Sequence, residues 1–221
     1  MLDYSNPAGY SCNVINHNST CNDKIANPYL MTVSDRYLNA KIKIMILGQE
    51  TKGWGGEFGN VGAYCPNNSI LMLQQLYDLF VNNSHKTGYF WNFCNTLQRN
   101  HPEVGFIYNN VGKFGFCDAG GHPSDYHLRP RVLSEEILIT HPDAVIFLSG
   151  PNYDEEINDN WGSNLQFGPY CPNLPIRKIA KINGITIPAI RTYHPHYLCR
   201  QKLIAKLIQT EIDSFINSLR P

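Results

Sequence analysis

KIKIMILGQETKGWGG, residues 41–56, decides how this chain is read. Ile42, Ile44, Met45, Ile46 and Leu47 form an apolar run that loses polar alternation towards its end. Such a run suits a strand buried on both faces, at the centre of a parallel sheet. It stops at Gly48-Gln49-Glu50, and a glycine-rich loop with Trp54 follows. In open α/β sheets, ligands bind beyond the carboxyl ends of the strands. An amide and a carboxylate placed there mark a candidate site.

Outward from this strand, helical and extended patterns alternate. Leu73, Leu76, Tyr77 and Phe80 recur at helical spacing and predict a helix over 69–81. A second helix is expected over 89–99, then a strand over 104–110 that ends on Asn109-Asn110. RVLSEEILIT, residues 131–140, reads as a helix stopped by His141-Pro142. AVIFLS, residues 144–149, is a third strand closed by Gly150-Pro151. Residues 151–175, with their prolines and glycines, read as irregular. Residues 185–192 are the fourth main strand, and Asn183-Gly184 before it suits a hairpin turn from 176–182, a segment equally compatible with a helix. The C-terminal run 197–219 is an amphipathic helix with an apolar stripe of Leu203, Ile204, Leu207, Ile208, Ile212, Phe215, Ile216 and Leu219. Strands alternating with helices imply a layered α/β fold with a mainly parallel sheet. We expect a single domain over 1–221, of which 1–38 is a polar, asparagine-rich N-terminal extension.

With 221 residues, 43% apolar and 16% charged, the chain can bury a full core. No apolar run is long enough to span a bilayer, and the N-terminus lacks the basic start and apolar centre of a secretory signal. Seven cysteines, none in a C-x-x-C pair, read as reduced thiols of a cytoplasmic protein. Cys12 and Cys21 are near enough in sequence to pair, but nothing requires it. The formal net charge is zero, yet its distribution is uneven. After the acidic run Asp154 to Asp159, residues 160–210 contain no acid but carry Arg177, Lys178, Lys181, Arg191, Arg200, Lys202 and Lys206. That stretch is either an ordinary solvated surface or a basic face for a polyanion.

The strand ends present Gly48-Gln49-Glu50, Asn109-Asn110, Ser149-Gly150 and Thr192-Tyr193-His194-Pro195. Each has an ordinary reading: Glu50 as a helix cap, the asparagines as strand terminators, His194 as a turn residue, Tyr64 as core. Their joint placement on one rim is what suggests a site. No G-x-S-x-G elbow or G-x-x-x-x-G-K-[ST] loop occurs, and His194-x-His196 has no evident third metal ligand.

The order of these motifs resembles the uracil-DNA glycosylase superfamily. Gly48-Gln49-Glu50-Thr51 is similar to its G-Q-D-P motif, and His194-Pro195-His196-Tyr197-Leu198 to its H-P-S-P-L motif. Tyr108-Asn109-Asn110-Val111-Gly112-Lys113 is similar to the T-N-x-V-K of the thermostable branch. Leu133 to Pro142, Ala144 to Gly150, and the His194, Pro195, Leu198, Arg200 spacing follow that branch's order as well. The likeness runs from about Lys41 to the C-terminus. Departures are Glu50 for Asp, Thr51 for Pro, His196 for a small residue, and no counterpart of the branch's four cluster cysteines.

The resemblance implies a three-layer α/β/α sandwich with a central, mainly parallel four-stranded sheet. It implies a monomeric enzyme that flips uracil or a related deaminated base out of DNA and hydrolyses its glycosidic bond, without metal or cofactor. Glu50 would stabilise the sugar cation and activate water, and His194, as a neutral imidazole, would stabilise the departing base. Asn110, or failing it Asn109, would read the base edge. Tyr64 or Phe58 would stack on the base, and Gly48 and Gln49 would shape the pocket. Leu198 would fill the gap left by the flipped base, unless it is simply core, and Arg200 and Lys202 would meet phosphates. The competing expectation is a catalytically silent DNA- or base-binding module on the same fold.

Overall fold

The structure, a computed structural model, describes residues 25–58, 66–82, 87–117, 132–161, 177–179 and 187–220. Contacts gather the chain into two compact units: Met1–Thr32, Glu50–Ser84 and Gly112–Pro130 in one, Val33–Gln49, His85–Val111 and Arg131–Pro221 in the other.

The second unit carries the sheet. Its elements are α1 (Asp35–Asn39), β1 (Ile42–Gly48), α3 (Tyr89–Asn100), β2 (Val104–Asn110), α4 (Leu133–Thr140), β3 (Ala144–Phe147), α5 (Asp154–Trp161), β4 (Arg177–Ile179), β5 (Ala189–Arg191), α6 (Pro195–Leu198) and α7 (Lys202–Asn217). The first unit holds α2 (Pro66–Asn82). The fold is α/β. Strand order is β2-β1-β3-β5-β4, with the first four parallel and β4 antiparallel to β5. The sheet thus has a fifth strand beyond the expected four. The strand reading of 177–179 holds, and the Asn183-Gly184 turn lies outside the described residues.

β1 is the central strand that its composition predicts. Ile44, Met45, Ile46 and Leu47 are fully buried between β2 and β3. Each such side chain contributes on the order of 1.5–3 kcal/mol through removal from water. Side chains alternate across the sheet. On one face of β2, Tyr108 meets Trp91 of α3, their ring centroids 5.0 Å apart. On the other, Asn109 donates to Glu136 of α4 at 2.9 Å. α1 packs on β2 and is tied to α4 by the Tyr37 hydroxyl, which donates to the Thr140 carbonyl at 3.2 Å. Helix α4 ends as expected at His141, whose left-handed φ of 47° precedes Pro142.

Three expectations change. Residues 151–161 are helical: a 3-10 turn over Pro151–Tyr153 leads into α5. Pro151 sits where a proline suits a helix start, and Asp154, Glu155 and Glu156 lie in the first turn, where the helix dipole favours acids. The other prolines and glycines behind the irregular reading lie at 162–175, outside the described residues. The C-terminal helix is broken: α6 is a single turn, and Gln201 leaves helical geometry (φ −129°, ψ 64°) before α7 begins. No proline or glycine marks the break. β5 is shorter than its apolar run because Pro188, which has no N–H for the ladder, stands just before it.

Residues 25–38 are more than a polar extension. Ala26, Tyr29 and Tyr37 are buried. In the first unit, the Asn27 side chain donates to the carbonyls of Gly55, Gly56 and Glu57, pinning the glycine-rich loop that follows β1. Tyr29 packs edge-on against Trp54 at 4.8 Å and Tyr77 of α2 at 5.3 Å, and Trp54 against Phe80 at 5.4 Å. The loop's tryptophan is therefore an anchor into an aromatic core.

Candidate functional site

The chain runs from β1 to β2 on one side of β1, then crosses to β3 on its other side. In open parallel sheets such a reversal opens a crevice at the carboxyl ends. Here it lies between β1 and β3, and the Gln49 side chain spans it, donating to the Ser149 carbonyl at 2.8 Å. Gln49 is thus a brace across the reversal point.

Beside it, Gly48 pairs opposite Asn110 across β1 and β2. A Cβ on Gly48 would stand 2.6 Å from Asn110 Oδ1 and 3.2 Å from the Phe90 ring. Glycine here lets an amide and an aromatic edge both close on the backbone. The Asn110 amide is 8% exposed and, among the described residues, its side chain makes no hydrogen bond to protein. An amide so placed leaves its donors and acceptor for water or a ligand.

Asn109 points the other way and is committed. Its Nδ2 donates to Glu136 Oε2 at 2.9 Å and lies 3.9 Å from Met45 Sδ, while its Oδ1 accepts the Asn110 N–H at 2.9 Å. The structure thus separates the two asparagines: Asn109 braces α4 against the sheet, and Asn110 is the amide with unused hydrogen-bonding capacity.

His194 caps α6. Its Nδ1 accepts the His196 backbone N–H at 3.2 Å. Its ring lies nearly parallel to that of Phe90, centroids 5.8 Å apart and planes 14° apart. Burial, followed by the neighbouring His196, lowers its pKa to about 4. At neutral pH the ring is uncharged, and an Nδ1 that accepts leaves Nε2 carrying the hydrogen. His194 is therefore a neutral Nε2–H donor.

Phe90, the second residue of α3, touches both halves of this arrangement, over Gly48 and against His194. The sequence reading passed it over, because α3 shows only a helical pattern and Phe90 approaches Gly48 through tertiary packing.

Leu198 is 2% exposed. A side chain that enters a base stack must stand clear of its own protein, so Leu198 follows the core reading. Pro195 and Leu198 share the inward face of α6, three residues apart, which turns both into the core. The outward residues are His196 and Tyr197. Arg200 and Lys202, at the junction of α6 and α7, are exposed as expected of cations that meet solvent or phosphate.

Glu50 belongs to the first unit and is half-buried. Its Cγ lies 3.3 Å from where a Cβ on Gly115 would stand, and the Thr51 carbonyl oxygen lies only 1.7 Å from that point. Gly115 thus lets the chain after β1 pass close by. Phe58, in the same unit, lies edge-on to Phe114 at 5.7 Å. Tyr64 lies outside the described residues. Among the described residues, no three His, Cys, Asp or Glu side chains could hold a metal ion, and no helix is long and apolar enough to cross a membrane.

No family model matches the chain, and no curated protein matches it.

Proposed function

We propose that the protein is a DNA glycosylase that excises uracil or a related deaminated base, on a three-layer α/β/α sandwich. The observation that carries this reading is the pairing of two groups at the strand ends: an enclosed amide with no hydrogen-bond partner among the described residues, Asn110, and an uncharged imidazole donor, His194. Both touch or adjoin Phe90.

Glycosidic cleavage leaves negative charge on the departing base and positive charge on the sugar. The Asn110 amide offers an acceptor to the N3–H of uracil and a donor to its O4. The His194 Nε2–H then donates to O2 as charge grows there. A neutral donor bonds more strongly as negative charge grows on O2, so its stabilisation is greatest in the transition state. Phe90 supplies an apolar surface beside both groups. Glu50, directly after Gln49, takes the part of the carboxylate that stabilises the sugar cation and activates water. This assignment rests on the resemblance of Gly48-Gln49-Glu50 to the superfamily's first motif. The enzyme acts as a cytoplasmic monomer.

The buried Leu198 favours a second reading, a binding module on the same fold, because it leaves base flipping without its expected wedge. Base release from oligonucleotides separates the two. A glycosylase releases a damaged base, and His194→Ala slows it on the order of 100-fold or more, as loss of a single transition-state donor does elsewhere. A binding module binds the same oligonucleotides and releases nothing.

A further inference from the structure

Two pairs of rings lie at the outward side of the His194 turn. Tyr89, the first residue of α3, stacks on His196 with centroids 5.3 Å apart and planes 7° apart. Tyr193 stacks on Tyr197 with centroids 4.7 Å apart and planes 27° apart. Tyr89 and Tyr197 are 52% and 53% exposed although each already stacks on one ring. His196 is exposed as well. A stacked pair holds its rings in place, so little side-chain entropy is lost when a further flat group joins.

The nearest charges in sequence to these rings are cationic. Neither α3 nor residues 160–210 contain a carboxylate. Arg200 and Lys202 are exposed immediately after α6. Arg200 lies near Tyr89: hydrogen bonding to Cys199 raises the tyrosine's pKa, and the Arg200 charge pulls it back down. Exposed aromatic faces beside cations match the pattern that binds single-stranded nucleic acid, where bases stack and phosphates meet Arg or Lys. A duplex presents no free base faces to such rings. An apolar peptide would leave both cations unused.

We infer that Tyr89, His196, Tyr193 and Tyr197, with Arg200 and Lys202, form a stacking surface for unpaired bases of single-stranded DNA. This inference deepens the proposed function by naming its substrate form, and it rests on that reading only for the identity of the polymer. The surface holds bases next to the one processed at Asn110 and His194.

The test is binding of the full chain to a short, undamaged labelled oligonucleotide, as single strand and as duplex, read by fluorescence anisotropy. The single strand binds more tightly. Tyr89→Ala and Tyr197→Ala each weaken it about five-fold or more, the size of one lost base–aromatic stack. Tyr89→Phe and Tyr197→Phe keep the ring and the affinity. Unchanged single-strand affinity in both folded alanine variants overturns the inference, as does duplex binding equal to or tighter than single-strand binding. Base release, measured on the same preparations, keeps the two readings apart. Release with tyrosine-independent binding removes the stacking surface alone. Tyrosine-dependent binding without release supports the surface and removes the glycosylase.

Discussion

Lowering the pH probes the charge state on which His194 depends. Burial and the neighbouring His196 place its pKa at about 4, against 6.5 for an ordinary histidine. Because the folded value is the lower one, the unfolded chain binds this proton first. Stability is therefore greatest above about pH 6.5 and falls as pH drops from there towards 4. The full difference is about 3 kcal/mol, of which about 2 kcal/mol is lost by pH 5. The loss has a structural source. A proton on Nδ1 would abolish its hydrogen bond from the His196 N–H and put a charge beside the Phe90 ring and the second histidine. The assay is urea unfolding at pH 7 and pH 5, for the wild type and for His194→Gln, which cannot titrate there. The wild type should lose about 2 kcal/mol more than the variant. The same reasoning keeps base release free of any His194 protonation step down to about pH 5. Equal pH dependence in the two proteins, or an NMR titration of His194 with its midpoint near 6.5, refutes the argument.

Gly48→Ala introduces a methyl 2.6 Å from Asn110 Oδ1 and 3.2 Å from Phe90. Since the Asn110 amide has no hydrogen-bond partner to lose among the described residues, it can swing away, so the stability cost stays near the low end of about 1–3 kcal/mol while base release falls at least ten-fold. The two asparagines should part company. Asn109→Ala removes the bond to buried Glu136 and costs about 2–4 kcal/mol in unfolding experiments, whereas Asn110→Ala changes stability by less than about 1 kcal/mol and abolishes selection among bases. Gly115→Ala drives a Cβ into the Thr51 carbonyl, and denaturant unfolding should report a loss of about 1–3 kcal/mol or more, because the obstacle is backbone rather than a movable side chain.

The central strand, its neighbours and the rim they form were legible because burial on both faces leaves a plain apolar run, as in Ile44 to Leu47. Strand ends followed directly, and with them Gly48, Gln49, Asn110 and His194. What stayed hidden depended on distant packing. Strand alternation sets Asn109 and Asn110 on opposite faces, but only the position of Glu136 shows which amide is already used. Leu198 is fixed as core by the short turn of α6, a break with no sequence marker. Phe90 matters because Gly48 lacks a side chain, a relation between residues far apart in sequence. α5 was obscured by the prolines and glycines that follow it.

The central claim is hydrolytic base excision, and its most direct test is base release from single- and double-stranded oligonucleotides carrying one uracil, hypoxanthine or xanthine. Wild-type protein should release at least one of these bases. Glu50→Gln, His194→Ala and Asn110→Ala should each lower that release by about 100-fold or more while remaining folded. Folded wild-type protein that releases none of them, or release that persists undiminished in Glu50→Gln and His194→Ala, contradicts the account.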